Sequence, residues 1–529
     1  MRRTRAILLA LAISGVVAGC SASGGGRPPC PLGERCVNVA ITSDPYTLDP
    51  NKYVLSVEAF IFGNLLVGLT AQDSRGRIIP GMATSWSTSA DGLTWTFRLR
   101  DAKWSDGQPV IAADFVTSLR RHVDPKTASP WASPLYVIEG AEDAAAGKIS
   151  PAAIGARAPD SRTVILKLRS PTPYLAELMA GFGLPVPTHA LSKWGDAWAE
   201  PGKYVSNGPY LLETRAMGDR IVLTANPDYF GPQPCFDRVT MFVTPSAVTA
   251  ERRVVAGEMD IAMRFEPNRT SLLRRTMPGY VRTPPALGFT RVAFNLSVPA
   301  LKDRRVRDAL AMSIDREFLT GKLLGGGNVP LTTVSPIGVT GYSVNPPVWA
   351  SWPLERRVET ARKLMRAAGY TPARPLRLDY KYPASQPRNV AAFLQSEWRA
   401  IGAEISLSSV DLQIHFNDMM VRDFELGFDN FNAAWMDPSQ FLELSRKTDP
   451  NNYPGYDNPA FDAALERANQ QSDPARRLSM LANAEAIIAD DVVNASLYGY
   501  SPTQLVNPAI IGFDDNLMNA HPAQYWCRK

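Results

Sequence analysis

The sequence contains few histidines and few cysteines, and it lacks the common catalytic motifs. The four histidines are scattered over 529 residues, at His122, His189, His415 and His521. None of them belongs to an HExxH helix, and the sequence has no CxxC pair, GxSxG elbow or P-loop. These absences argue against a metal centre and against an enzyme. A secreted hydrolase stays the alternative from a different class, because His122 and His415 could each join a catalytic triad.

Clustered positive charge is also missing beyond the N terminus. The formal net charge is +5, but Arg2, Arg3 and Arg5 lie in the first nineteen residues, which hold no acid. Without that segment the chain would carry +2, so it lacks the basic face on which nucleic-acid binding relies. A length of 529 residues with 45% hydrophobic residues instead predicts several domains with sizeable cores.

After the N terminus the sequence has no apolar run long enough to span a bilayer. Residues 6–18 are apolar but fall short of the roughly 20 residues of a membrane span, and with the arginines before them they are typical of a secretory signal. The run ends in VAGC at 17–20, which resembles the bacterial lipobox. We expect residues 1–19 to be a lipoprotein signal peptide and Cys20 to carry the lipid. Ordinary signal cleavage with an incidental cysteine is the alternative.

Residues 20–36 are expected to connect this anchor to the folded body. The stretch SASGGGRPP at 21–29 is typical of a flexible tether. The protein would then lie outside the cytoplasm, attached to the outer face of the cell membrane through the lipid alone.

The four remaining cysteines are an even number, which in an exported protein favours disulfides with three possible connectivities. Cys30 and Cys36 enclose a small Pro/Gly loop and are expected to pair locally. Cys235 and Cys527 would then join the middle of the chain to its end. Zinc is the competing interpretation, but neither the cysteine spacing nor the scattered histidines support it.

The hydrophobic pattern predicts alternating strands and helices. Strands are expected at 37–41, 94–99, 163–168, 221–223, 239–243, 404–407 and 424–428. Helical spacing is found at 303–324, 355–368, 390–400, 412–421 and 476–489. This alternation favours an α/β protein in which helices cover mixed sheets.

Several motifs follow one another along the chain in an order and at spacings that a known protein family shares. They are WSDGQPV at 104–110, SNGPY at 206–210, NPDYF at 226–230, RRVRDALAMSIDR at 304–316, LMRAAGY at 364–370 and DPSQFL at 437–442. Over roughly residues 37–510 the chain resembles the extracytoplasmic solute-binding proteins of ABC importers, in the oligopeptide/dipeptide-binding group known as solute-binding family 5. Most of these motifs are scaffold, so they indicate the fold and not the ligand.

The resemblance implies a two-lobed α/β fold of the class II periplasmic-binding-protein type, with mixed sheets and a subdomain inserted in the first lobe. Lobe I would comprise residues 37–70, 205–285 and 500–529, the insert residues 71–204, and lobe II residues 286–499. A solute in the cleft would stabilise the closed form, which the permease recognises. The implied protein is a monomer without cofactor, and its partners are a peptide or other small solute and the permease and ATPase subunits.

In peptide-binding relatives an extended peptide pairs through its backbone with both lobes. The strand expected to end near Phe428 should deliver the loop that follows it to the cleft, while Asn295 is expected near a lobe crossover. The proposed ligand contacts are Tyr46, Asn207 and Gly208 on the lobe I side and Asn295, Phe431, Asn432 and Trp435 on the other. The competing interpretations are that Phe431 and Trp435 are core aromatics and that Asn207-Gly208 is a plain turn.

One position departs from the family pattern. Peptide-binding members hold the N-terminal ammonium of the peptide with an aspartate four residues before the proline of the motif matched by Asp437-Pro438, and here that residue is Ala434. A buried ammonium without a counter-charge is costly, which weakens the case for a free peptide amine. Asp429 or Asp437 could substitute for the missing aspartate.

Otherwise the ligand is N-blocked, bound in another register, or not a peptide, since relatives also take sugars, nickel complexes and opines. A sensor or chaperone that keeps the cleft but has no permease is a further alternative.

Overall fold

The structure is a computed structural model that describes residues 27–28, 30–336 and 338–529. The predicted signal peptide (1–19), the predicted lipidation site Cys20 and the first part of the tether lie outside the described residues. Among the helices of the described part, none is both long enough and apolar enough to cross a membrane.

Lobe I is built on a mixed sheet that has seven strands within the described residues. Its central strand, Cys36–Ile41, is almost entirely apolar and buried, as expected for a strand with parallel partners and both faces covered. Helix Ser56–Leu65 packs on one face, and helices Ala247–Val255 and Thr270–Thr276 pack on the other. The strand order is Val281–Arg282, Gln504–Val506, Ile261–Ala262, Cys36–Ile41, Arg238–Val243, Arg220–Ala225, Tyr210–Ala216.

The insert is an antiparallel sheet with helices packed beside it. Its strand order is Ala83–Thr88, Thr94–Leu99, Thr163–Lys167, Ala156–Asp160. Buried side chains of this unit, such as Phe97 and Leu119, belong to the same hydrophobic core as Val39 of lobe I. The insert and lobe I therefore share one core. The helices of the insert are Ala112–His122, Ala141–Ala145, Leu175–Gly181 and Thr188–Trp194.

Lobe II contains a separate mixed sheet with its own core. The strand order is Val329–Pro330, Asn494–Gly499, Gly288–Phe294, Leu426–Asn432, Leu376–Pro383, Ala403–Val410. The α-helices are Pro299–Lys302, Arg304–Met312, Arg316–Phe318, Leu354–Ala367, Arg388–Arg399, Leu412–Val421, Ser439–Glu443, Pro459–Asn469 and Pro474–Asp491.

Shorter elements complete the described chain. Two small antiparallel pairs join Thr70–Gln72 to Ile78–Pro80 and Ile510–Ile511 to Cys527–Arg528. The 3-10 turns are Ser133–Val137, Pro151–Ala153, Gly195–Ala199, Pro267–Arg269, Val348–Ser351 and Ala523–Tyr525.

Two expected elements of lobe II have different bounds. The single helix expected over 303–324 is interrupted after Met312, because the Asp315 side chain accepts a hydrogen bond from the Phe318 backbone N–H and starts a new helix. The last part, Leu319–Leu324, is a π-helical turn. The strand expected over 424–428 instead runs from Leu426 to Asn432.

The end of the predicted tether is fixed on lobe I. The guanidinium of Arg27 donates to both carboxylate oxygens of Asp260, at 2.7 and 3.0 Å, and Arg528 donates to the same carboxylate at 2.6 Å. Asp260 is fully buried, so it needs this positive charge. The predicted tether at 20–36 is therefore attached to lobe I at Arg27, while Leu32 within it is exposed, and its role as a connection to the anchor stays a prediction.

The described residues contain two disulfides, Cys30–Cys36 and Cys235–Cys527, as expected. Cys235 and Cys527 are 292 residues apart in sequence, against 6 for the other pair. The long-range bridge restricts the unfolded chain more strongly.

We expect replacement of Cys235 and Cys527 by serine to lower the free energy of unfolding by about 2–4 kcal/mol in urea denaturation. The matched control is replacement of Cys30 and Cys36 by serine, which removes the small loop and should cost less. Equal losses in the two variants would contradict this reasoning.

Candidate functional site

A turn of lobe II contacts the insert. The strand Leu426–Asn432 ends at this turn, residues 433–437, and Trp435 stacks on Tyr174, which directly precedes the insert helix Leu175–Gly181. The two ring centroids are 5.8 Å apart and the planes are inclined by 9°. Ala434 and Trp435 also pack against the core shared by lobe I and the insert. The turn therefore lies where the two lobes meet.

A buried ion pair supports this turn from the lobe II side. Arg477, in the helix Pro474–Asp491, donates to both oxygens of the Asp437 carboxylate, at 2.5 and 3.1 Å. The guanidinium lies 4.9 Å above the ring of Tyr174. Arg477 thus connects the turn to the insert through one charge pair and one cation–π contact.

Aromatic rings continue from this contact into lobe I. Phe182 meets Trp435 edge to face at 6.5 Å, Trp131 lies 6.3 Å from Phe182, and Tyr53 stacks on Trp131 at 5.5 Å. Phe182 is buried, while the other four rings are partly exposed. We call Tyr53, Trp131, Phe182, Tyr174 and Trp435 the aromatic row.

The segment that carries Tyr46 is held by a buried carboxylate. Glu58, which is 0% exposed, accepts hydrogen bonds from four backbone N–H groups at 2.7–2.9 Å. Their donors are Tyr46, Thr47, Val54 and Leu55. The Tyr46 side chain itself is 78% exposed. Its backbone is therefore fixed while its ring faces solvent.

Asn207 and Gly208 make scaffold contacts. The Asn207 amide accepts from the Val67 backbone N–H and donates to the Val67 carbonyl, both at 3.0 Å, and is 1% exposed. A side chain at Gly208 would overlap the backbone of Leu65. Both residues thus hold the scaffold together, and a direct contact with ligand stays a prediction.

The lobe II candidates lie in different places. Phe431 and Asn432 are part of the strand Leu426–Asn432 and not of a loop after it. Phe431 packs against Phe289 and Phe441, while Asn432 is exposed.

Asn295 follows the end of the strand Gly288–Phe294 that lies away from the crossover. The two ends of this strand are about 20 Å apart, because it is seven residues long. The buried amide of Asn295 donates to the carbonyls of residues 422 and 424.

The comparison with known proteins identifies the family. The model of bacterial extracellular solute-binding proteins, family 5, in its middle region, matches residues 77–453. The chain belongs to this family.

Family 5 relatives align with most of the chain. It is 33% identical over 486 residues to the periplasmic murein peptide-binding protein MppA of Escherichia coli (strain K12), with 90% of each chain covered. It is also 33% identical over 480 residues to YgiS of that strain, a probable deoxycholate-binding periplasmic protein, with 89% of each chain covered.

Solved structures confirm the predicted two-lobed α/β fold. The open, unliganded form of MppA superimposes with a TM-score of 0.83 at 32% identity, covering 94% of this chain and 98% of that one. Haemophilus influenzae OppA in complex with RPPGFSPFR gives a TM-score of 0.79 at 29% identity, covering 94% of this chain and 99% of the other.

The two aspartates that could replace the missing family 5 carboxylate are already paired. Asp437 holds Arg477, and Asp429 accepts a hydrogen bond from Arg291 at 2.6 Å; both aspartates are buried. The partly buried Glu177 lies near Asp437 and Arg477, and burial raises the pKa of its carboxyl group. Neither aspartate is therefore an unpaired carboxylate that could stand in at Ala434.

Sequence reasoning missed several residues of this site. Tyr174 and Arg477 come from distant segments, and no local pattern links them to the turn at 433–437. Glu58 had a detectable signal, because an acid in the first turn of a helix is well placed to accept backbone N–H groups. The aromatic row has no periodic spacing in the sequence.

Two buried histidines, His122 beside the aromatic row and His521 beside Phe513, make stability depend on pH. Burial lowers the pKa of His122, whose ring contacts Phe182, to about 4, and burial likewise lowers the pKa of His521 to about 4. In the unfolded chain each pKa lies near 6.5, so the unfolded state binds more protons between these values. Stability therefore falls as the pH decreases from about 6.5 toward 4.

We expect each of these histidines to cost about 2 kcal/mol of stability at pH 5 relative to pH 7.5. Urea denaturation at both pH values measures the change, and His122→Gln should make it smaller. A pH dependence unaltered by His122→Gln would contradict the assignment.

Proposed function

We propose that this chain is the substrate-binding component of an ABC importer and captures peptides between lobe I and lobe II by hinge closure. Membership of family 5 supports a binding role, MppA is named for murein peptide binding, and the OppA structure is a complex with RPPGFSPFR. The single observation that carries the proposal is the position of the 433–437 turn, which contacts the insert through Trp435 where the lobes meet. A solute in contact with both sides would stabilise the closed form over the open one.

The proposed ligand contacts are the site residues whose side chains are exposed or partly exposed. Trp435 and Asn432 on the lobe II side, and Tyr46 on the lobe I side, keep surface for a ligand. Four further residues would support the site through the packing described above, namely Phe431, Asn207, Gly208 and Asn295.

We retain the domain division of lobe I at 37–70, 205–285 and 500–529, the insert at 71–204 and lobe II at 286–499.

We further propose that the protein is anchored outside the cytoplasm through lipid on Cys20 and delivers its solute to a permease. The lipobox-like sequence at 17–20 supports the anchor. Mass spectrometry of the protein from its native host should find the first residue to be Cys20 carrying diacylglycerol. An unmodified N terminus at another residue would refute the anchor. Adjacent genes for permease and ATPase subunits would distinguish an importer from a sensor.

Calorimetric titration tests the peptide proposal. We expect tetra-alanine, in its free or its N-acetylated form, to bind with one-to-one stoichiometry and with a negative heat-capacity change, because closure buries apolar surface. Absence of binding by both forms would refute it.

A second candidate is a non-peptide solute. The aromatic row and the alanine at position 434 favour it, because partly exposed rings suit apolar molecules and sugars as well as peptides. The relative YgiS is named for deoxycholate. Titration with deoxycholate and with maltotriose tests this candidate, and tight binding of either without peptide binding would favour it over the peptide proposal.

A further inference from the structure

We propose that the turn at Ala434 forms a subsite for the uncharged, N-acylated end of a peptide, and not for a free ammonium group. This inference deepens the proposed function and rests on it. Three observations at the junction of the lobes support it: the carboxylates are engaged, the aromatic rings are partly exposed, and one buried N–H donor has no acceptor.

The two aspartates near the turn are already paired with arginines. Asp437 receives two hydrogen bonds from Arg477, and their side chains are 7% and 3% exposed. Asp429 pairs with Arg291 inside lobe II, with side-chain exposures of 5% and 1%. An ammonium group arriving at Ala434 would therefore lose water without gaining a free carboxylate from either aspartate.

Two further acids lie near the turn: Glu443, which is paired with Arg446, and Glu177. Glu177 follows Tyr174 by three residues at the start of the insert helix. Burial raises the pKa of its carboxyl group. Glu177 is thus the competing receptor for an amine, and it can be tested separately.

The aromatic row offers a surface for an apolar cap. Trp435 and Tyr174 are stacked nearly parallel, and Phe182 contacts Trp435 with its edge. Trp435, Tyr174 and Ala434 are partly exposed, so the two rings form an apolar wall from lobe II to the insert. Such a wall attracts an acyl group through burial of apolar area.

Trp435 also supplies a hydrogen-bond donor. Its indole Nε1 is buried and finds no acceptor among the residues that the structure describes. A buried N–H without an acceptor is unfavourable, so it favours a ligand that brings an oxygen. The carbonyl of an N-acyl group provides that oxygen, whereas an ammonium group provides only further donors. By contrast, the indole N–H of Trp131 already donates to the Tyr53 carbonyl at 3.1 Å.

The direct test is calorimetric titration of the full chain with tetra-alanine and N-acetyl-tetra-alanine. We expect the acetylated peptide to bind at least about tenfold more tightly, because it avoids desolvating an unpaired ammonium group. Equal affinities, or tighter binding of the free amine, would overturn the inference while leaving peptide capture intact. Absence of binding by both peptides would instead refute the proposed function.

Three variants assign the effect to residues. Ala434→Asp restores a carboxylate and should reverse the preference in favour of free tetra-alanine. Trp435→Phe keeps the ring but removes the N–H donor, and should weaken binding of the acetylated peptide by about fivefold with little effect on the free peptide. Glu177→Gln should keep the preference for the acetylated form.

The opposite results would contradict the assignment. If the wild type prefers the free amine and Glu177→Gln abolishes that preference, Glu177 is the ammonium receptor. If Trp435→Phe weakens the binding of both peptides equally, the ring contributes to binding but its N–H does not donate to the acyl carbonyl. A circular dichroism spectrum and thermal midpoint like those of the wild type establish that each variant is folded.

Discussion

Replacement of Arg477 by methionine is expected to lower the free energy of unfolding by about 3–5 kcal/mol. The physical reason is that the Asp437 carboxylate, which is 7% exposed, would stay buried without its counter-charge. The same change removes the guanidinium from the ring of Tyr174 and so loosens the turn against the insert. Urea denaturation measures the stability, and peptide titration measures the effect on the site.

Two matched variants test whether charge causes this effect. Arg476 is an exposed neighbour in the same helix, so Arg476→Met should change stability by less than about 0.5 kcal/mol. Combining Arg477→Met with Asp437→Asn removes both charges, keeps an amide oxygen to accept from the Ser439 backbone N–H, and should recover most of the loss. A loss in Arg477→Met no greater than in Arg476→Met would contradict the assigned role of the pair.

Replacement of Glu58 by alanine is expected to cost about 4 kcal/mol or more, because four backbone N–H groups lose their acceptor together. Glu58→Gln should also be destabilising, since its amide NH₂ would face N–H donors. We expect the Tyr46 segment to become disordered in both variants, which weakens peptide binding on the lobe I side. Urea denaturation and amide hydrogen exchange at Tyr46 and Thr47 measure these changes.

A surface glutamate provides the control for Glu58. Glu142, in the insert, is 59% exposed in its pair with Arg169. Glu142→Gln should therefore have almost no effect on stability or hydrogen exchange. If Glu58→Ala is as stable as this control, the four hydrogen bonds do not hold the segment in solution.

The sequence predicted local elements well where the hydrophobic pattern is unambiguous. The strand expected at 94–99 and the helix expected at 412–421 have those bounds in the structure. The long helix at 303–324 was wrong, because apolar spacing continues through a segment in which the Asp315 side chain starts a new helix. Hydrophobic periodicity shows only which face of a helix is buried. A residue such as Asp315, whose side chain starts a new helix inside the periodic segment, does not change that hydrophobic pattern.

The candidate site was less predictable for a physical reason. Trp435 was proposed from a motif, but the ring that covers it belongs to Tyr174 in another part of the fold. The amide of Asn207 is paired with the Val67 backbone, and Asn295 bonds backbone carbonyls beyond the far end of a strand. Asparagine serves equally well in a cleft and in a scaffold, so residue type alone could not distinguish these roles.

The central claim is that peptide binding closes lobe II against lobe I, and a distance measurement between the lobes tests it most directly. Spin labels at Met217 in lobe I and Val421 in lobe II, which are 67% and 75% exposed, suit double electron–electron resonance in the full chain. We predict that saturating N-acetyl-tetra-alanine shifts the distance distribution to a narrower, shorter population. A distribution unchanged by peptide at concentrations where calorimetry records binding would contradict capture by closure.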